Sequence, residues 1–320
     1  MVSDAKMSKA ARTALGQCLG LAEGEKLLVV ANPEMQRIGE VLYKEGDKLG
    51  ADASLLYYPK GKINGEEPPP LVAHAMGKAD VVIAATVTSI THTKARKRAC
   101  QKGTRIATMP GITEEIFVRG LGADYEEIGK LCNLLFKWLD KSKVAHMTSP
   151  SGTDIVLDIR NRACVSDGNL RAKGAGGNLP TGESELAPKT ANGVIVVDRC
   201  GDVITEPTRL EVENGHIVGY DNNPSGKRFK RMIQQAMKLD GNENASFVAE
   251  FAIGTNKSAK VSGVILEDEK VYGTAHIAFG NNTSYPGGRN PSTLHIDVII
   301  FKPTITLDGK MIMKKGKLVI

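Results

Sequence analysis

His295 and Asp297 stand two residues apart in the run Leu294-His-Ile-Asp-Val-Ile-Ile-Phe301, where every other residue is apolar. A short, β-branched apolar run of this kind reads as a strand buried on both faces. Side chains alternate along a strand, so this imidazole and this carboxylate point to the same side. An ionised carboxylate in such a place is costly unless something positive neutralises it. A hydrogen-bonded pair meets that need, and so does joint ligation of a metal ion.

The same anomaly recurs upstream. Phe247-Val-Ala-Glu-Phe-Ala-Ile253 carries one acid, Glu250, and Gly273-Thr-Ala-His-Ile-Ala-Phe279 carries one imidazole, His276. A further acid, Glu183, follows the turn-rich stretch Asn178-Leu-Pro-Thr-Gly182. Singly, each reads as a satisfied polar group in a core. Together they bring two imidazoles and three carboxylates into or beside apolar sequence, and that recurrence points to metal. Mixed imidazole and carboxylate ligation suits zinc, manganese, cobalt or ferrous iron.

The elements that must position these residues fall into two parts. A chain of 320 residues is long enough for two domains, each with its own core. Residues 1–145 alternate strand signals (Lys26–Val30, Ala53–Tyr58, Ala79–Ala85, Arg105–Met109) with helical ones (Gln36–Leu49, Leu71–Gly77, Thr93–Gln101, Thr113–Arg119) and close on an amphipathic helix over Asp124–Lys141. Such alternation predicts a Rossmann-like α/β domain, a parallel sheet covered by helices. No GxGxxG or Walker loop accompanies it, so no bound nucleotide is expected. Residues 146–320 read as a mixed, largely antiparallel α+β domain that carries the candidate metal ligands. Its strands are expected at Thr153–Ile159, Val194–Val197, Arg209–Val212, His216–Tyr220 and Val261–Leu266. A helix spans Gly226–Leu239, and hairpin signals lie at Asn214-Gly215, Asp308-Gly309 and Lys315-Gly316.

One polar cluster of the first part joins the candidates. After the strand ending at Ala85 comes Thr86-Val-Thr-Ser-Ile-Thr-His-Thr93 and then a helix. Open parallel sheets present functional groups in loops at the carboxyl ends of their strands. One of the threonines caps the helix. His92 beside it is either a surface residue or a contribution to a cleft.

Composition excludes several classes. The net charge of +6 is modest for this length, and the densest basic run, Lys94-Ala-Arg-Lys-Arg98, lacks interleaved aromatics, so no nucleic acid is expected as a partner. No stretch approaches the roughly 18 apolar residues that span a bilayer, and no membrane partner is expected. The N-terminus has no apolar signal-peptide core. Five scattered cysteines, odd in number and without CxxC spacing, predict reduced thiols and a cytoplasmic setting.

The ordered motifs resemble those of the metal-dependent aminopeptidases of the aminopeptidase T and aminopeptidase S type. Asn178-Leu-Pro-Thr-Gly-Glu183 with Ala187-Pro188 is similar to the segment of that family's first acidic ligand, and Ala249-Glu-Phe-Ala-Ile-Gly254 to that of the second. Ala275-His-Ile-Ala-Phe-Gly280 and Leu294-His-Ile-Asp297 resemble its two histidine segments. The family also uses a Tyr after the first His, and here Tyr285 follows at a longer spacing. The resemblance implies Glu183, Glu250, His276, Tyr285, His295 and Asp297 as ligands of up to two divalent ions (zinc, cobalt or manganese), with metal-activated water hydrolysing small peptides or amides. It also implies a homodimer. Glu183 and His92 are then the candidate catalytic groups. The same superfamily contains 2,5-dihydroxypyridine 5,6-dioxygenase, a non-haem iron enzyme that keeps two His and one Asp, matching His276, His295 and Asp297. That alternative implies one iron(II), a small aromatic substrate, Glu183 and Glu250 as acids orienting ligands or handling protons, and His92 as an acid–base group. The hydrolase is the main expectation, because two dications account for more of the unusual acids.

Overall fold

The computed structural model describes residues 2–160 and 163–320. The chain forms two units, Met1–Tyr125 with Ser166–Thr181, and Glu126–Val165 with Gly182–Ile320. The sequence suggests a single boundary at 145/146, and the structure differs for two reasons. The helix Tyr125–Leu139 commits Leu135 and Leu139 to the core of the second unit. The returning strand Gly176–Asn178 pairs with Arg105–Pro110 of the first.

The first unit holds the expected parallel sheet, with strands in the order Asp52–Tyr57, Lys26–Ala31, Val81–Thr86, Arg105–Pro110 and Gly176–Asn178. Its most buried strand, Val-Val-Ile-Ala-Ala-Thr over Val81–Thr86, is enclosed throughout, as a central parallel strand must be. Helices Gln36–Lys48, Pro70–Met76, Lys94–Gln101 and Glu114–Leu121 alternate with the strands at the expected places. The Thr93 side chain caps its helix by accepting from Arg96 N at 3.3 Å. His92 lies partly buried in the turn just before it. An N-terminal helix, Asp4–Arg12, is an addition to the sequence reading.

The second unit contains two sheets. Eight strands run in the order His216–Tyr220, Thr208–Glu213, Thr190–Val197, Asp154–Asp158, Val144–Thr148, Thr304–Leu307, Lys310–Lys314 and Lys317–Leu318, and their pairs are antiparallel. The three expected hairpins turn on Asn214-Gly215, Asp308-Gly309 and Lys315-Gly316, all with positive φ at both residues, the geometry that two-residue hairpins require. The other sheet has the order His295–Phe301, Thr274–Gly280, Val248–Gly254, Glu183–Leu186 and Cys164–Ser166. The helix Pro224–Asp240, capped by Asn223 and ended by Gly241, sets Phe229 and Ile233 in the same core. Phe229 meets Phe279 edge to face at 6.0 Å.

The expected strand Val261–Leu266 does not form. The Asp268 carboxylate accepts the backbone N–H groups of Ser262 (2.6 Å) and Gly263 (3.1 Å), and Gly263 takes φ of 87°. That tie folds the segment into a turn leading to the short helix Ile265–Asp268. Among the described residues no helix is long and apolar enough to cross a membrane.

Candidate metal centre

Strand alternation gathers the chemistry on one face of the second unit's smaller sheet. In Val248–Gly254, Phe251 and Ile253 enter the hydrophobic core, which turns Glu250, Ala252 and Gly254 the other way. In Thr274–Gly280, Ile277 and Phe279 take the core face and leave His276, Ala278 and Gly280 opposite. In His295–Phe301 the core takes Ile296, Val298 and Ile300, leaving His295 and Asp297.

Register then pairs each large polar residue with a small neighbour. His276 lies across from Ala252, Asp297 from Ala278, His295 from Gly280, and Glu183 from Gly254. The small residues leave room above the sheet for imidazoles and carboxylates to converge. Glu250 needs one further device. The register shifts between Val248 and Glu250, so Val248 faces the core while Glu250, two residues on, faces the site. A bulge is a common way to re-aim a side chain beside a functional centre.

Distances define a tight cluster. Glu250 lies between the two imidazoles, with Oε1 3.1 Å from His276 Nε2 and Oε2 3.2 Å from His295 Nε2. Asp297 Oδ1 is 3.6 Å from His295 Nε2. The Tyr285 hydroxyl donates to Glu250 Oε2 at 2.6 Å, and its ring stacks on that of His295 at 6.1 Å. Glu183 Oε2 stands 3.4 Å from His276 Nε2 yet has no hydrogen-bond partner, and neither has His276 Nδ1. Lys270 donates from Nζ to Glu183 Oε1 and, at 2.7 Å, contacts Glu269 Oε1.

These contacts decide protonation. Burial pushes the Glu250 carboxyl up, but hydrogen bonds from His276 and His295 outweigh it and hold the group well below the usual range. Burial depresses His276, yet its bond to Glu250 lifts it to about 9. Burial likewise opposes charge on His295, and Asp297 overcomes it, raising the ring well above its ordinary value. Asp297 is lowered, since the charge of His295 exceeds the cost of burial. Burial drives Glu269 up to about 8 against the pull of Lys270. Burial disfavours the Lys270 ammonium, but Glu183 and Glu269 hold it charged.

The residues fit a metal ion. Three groups place one ligand atom each within 4.8 Å of one another: Glu183 with Glu250 and His276, Glu250 with His295 and Asp297, and Glu269 with His276 and Asp297. His295 is set up as a ligand, because Nδ1 is 2.7 Å from the carbonyl oxygen of Asn281 and donates to it. That bond fixes the ring and directs Nε2 at two carboxylates, the arrangement that orients metal-binding histidines.

All six residues that the sequence suggests as ligands therefore meet in the second unit. Tyr285 arrives as a donor to Glu250, its longer spacing absorbed by the loop between strands Thr274–Gly280 and His295–Phe301. Glu269, Lys270 and the orienting carbonyl of Asn281 carry no comparable signal in the sequence. The pair Glu269-Lys270 follows Glu267-Asp268 and has the look of a solvated charge run.

The family described as NicX: 2,5-dihydroxypyridine 5,6-dioxygenase matches residues 6–320. The structure of 2,5-dihydroxypyridine dioxygenase from Pseudomonas putida KT2440 superposes with a TM-score of 0.82 at 18% identity, covering 100% of this chain and 98% of that one. Wild-type AmpT from Thermus thermophilus superposes with a TM-score of 0.71 at 19% identity, covering 99% of each chain. No curated protein sequence matches the chain. At these identities the two structures speak for the fold.

Proposed function

Because the chain belongs to the 2,5-dihydroxypyridine 5,6-dioxygenase family, we propose that it is a ring-cleaving dioxygenase acting on a hydroxylated N-heteroaromatic compound at a single iron(II). The observation that carries this reading is the convergence of two imidazoles and Asp297 about Glu250, the donor set that suits non-haem iron. His276, His295 and Asp297 would hold the ion together with Glu250, whose carboxylate lies between the two imidazoles. When bound, ferrous iron supplies the redox capacity that lets dioxygen react with a closed-shell ring.

The chain's own groups do the rest. Asp297 and Glu250 supply the two negative charges that balance one dication. The Asn281 carbonyl keeps the proton on His295 Nδ1, so Nε2 offers its lone pair. Tyr285 anchors Glu250 Oε2 and covers the His295 ring. Glu183, engaged by Lys270, then serves as an acid bordering His276 rather than as a bridging ligand.

One observation favours the hydrolase as a second reading. Glu183, Glu250 and His276 form a ligand group that could take a second ion. Oxygen consumption separates the two. Iron(II)-loaded protein, prepared anaerobically and mixed with 2,5-dihydroxypyridine, is expected to take up one dioxygen per substrate while leaving leucyl amides intact. Hydrolysis of leucyl amides by the manganese- or zinc-loaded protein, with no oxygen uptake on the pyridine, reverses the assignment.

A further inference from the structure

Two of the three ligand groups contain a carboxylate already held by Lys270. Glu183 belongs to the group with Glu250 and His276, and Glu269 to the group with His276 and Asp297. The third, Glu250 with His295 and Asp297, contains neither partner of the lysine. We infer that Lys270 is a built-in monovalent cation standing where a second metal ion would bind, so that it restricts the centre to one divalent ion. This rests on the single-ion reading above and names the residue that enforces it.

The position of the ammonium is constructed, not incidental. The Lys270 side chain is 4% exposed, and such burial of an ammonium occurs only where anions surround it. Backbone bonds fix its segment: Asn256 N donates to Lys270 O at 2.9 Å, and Lys270 N donates to Glu267 O at 3.0 Å. The neighbouring strand ends in Gly254, where a Cβ would collide with Val271 O and come within 2.9 Å of Lys270 C. Only a residue without a side chain lets this backbone pass so close to the strand. Gly254 is also the residue paired with Glu183, so the same close approach brings Nζ to that carboxylate.

Charge makes the exclusion. An ammonium on Glu183 Oε1 neutralises the acid that a second ion at Glu183, Glu250 and His276 needs most. A dication there would also face a fixed positive charge in a buried setting, where Coulomb repulsion is poorly screened. Occupancy of the third group avoids the conflict. Lys270 is in this sense a specificity-determining residue, selecting one-ion over two-ion chemistry without itself touching the retained ion.

Metal counting tests this on the full chain. Protein stripped with a chelator is titrated with manganese(II), and bound ions are counted by equilibrium dialysis and elemental analysis. Wild type and Lys270→Arg are expected to saturate at one ion per chain. Lys270→Met, neutral and of similar length, is expected to saturate at two, and the double variant Lys270→Met/Glu183→Gln to return to one. Removing the ammonium leaves buried acids unpaired, so Lys270→Met is refolded with manganese present, and manganese should raise its melting temperature more than that of wild type. Glu183→Gln in the wild-type background leaves the ammonium to Glu269 alone, so it is refolded in the same way and, once folded, should keep its one ion. A folded Lys270→Met holding one ion overturns the inference while leaving the single-ion reading intact. Loss of the ion from Glu183→Gln overturns the inference as well, and two ions in wild type overturn both. One ion in wild type and two in Lys270→Met, without oxygen uptake on any dihydroxypyridine, sustain the inference and remove the dioxygenase reading.

Discussion

Tyr285→Phe isolates one hydroxyl in the centre. The substitution keeps the ring that stacks on His295 at 6.1 Å and deletes the donor 2.6 Å from Glu250 Oε2. A hydrogen bond to a charged acceptor contributes about 1.5–3 kcal/mol, and one lost here leaves Oε2 with His295 as its remaining named partner. Since each 1.4 kcal/mol or so is tenfold in binding, manganese affinity should fall by about tenfold to a hundredfold if Glu250 must be held in place to receive the ion. The saturated stoichiometry should stay at one ion per chain, because the hydroxyl serves the ligand and does not replace it. A competition titration against a chromophoric chelator measures the affinity, and elemental analysis of the saturated protein measures the count. An affinity within about twofold of wild type would show that the Tyr285–Glu250 bond does not organise the centre. Complete loss of the ion would instead make Tyr285 a ligand, as the aminopeptidase resemblance implies.

Other outcomes follow from the same geometry. Asp297→Asn should strip the metal, because an amide oxygen 3.6 Å from His295 Nε2 carries no charge to balance the cation, and full occupancy by elemental analysis refutes this. In the metal-free protein, His276 raised to about 9 from 6.5 contributes stability that is complete below about pH 6.5 and lost as pH climbs through 9, so the melting temperature should decline across that window. Metal affinity should run the opposite way, rising by up to about a hundredfold per pH unit if both imidazoles release a proton on binding, which calorimetry in buffers of different ionisation enthalpy can count. Gly254→Ala should destabilise the fold by about 1–3 kcal/mol in denaturant titration, since the backbone at Lys270 and Val271 has to retreat from the new methyl. His92→Ala should lower turnover by about two to four orders of magnitude at unchanged metal content if this residue is an acid–base group, and unchanged kinetics withdraw it from the site.

Much of the frame was legible because its signals are local. Lys26–Ala31, Val81–Thr86 and Arg105–Pro110 are short apolar runs bounded by charged or turn residues, and each forms within two residues of its expected place. Asn214-Gly215 announces a hairpin by the positive φ that both residues tolerate. Three failures share one cause, dependence on distant partners. Glu183–Leu186, half acidic, is a strand because Phe251–Gly254 pairs with it. Val261–Leu266 has strand-like composition, yet Asp268 bonds the Ser262 and Gly263 amides and turns it. The helix expected over Asp124–Lys141 reads in sequence as the close of the first domain, and only its packing places Leu135 and Leu139 in the other core.

The candidate centre divides in the same way, and the division bears on its chemistry. A charged residue inside an apolar strand is an anomaly visible in one dimension, which is why Glu250, His276, His295 and Asp297 stand out. Lys270 sits among Glu267, Asp268 and Glu269, where charges ordinarily mean solvent, and nothing nearby in sequence signals that its side chain is 4% exposed. Its burial comes from Gly254 and Asn256, some fifteen residues earlier, and from Glu183, far earlier still. Counting acids without it makes two dications look necessary. Counting it changes the balance: Glu183 and Glu269 share the ammonium, burial disfavours the charged form of Glu269, and Glu250 with Asp297 matches one dication. Of the acids that argued for a hydrolase, Glu183 is thus the one that Lys270 neutralises, and the charge left on Glu250 and Asp297 is what a single divalent ion requires.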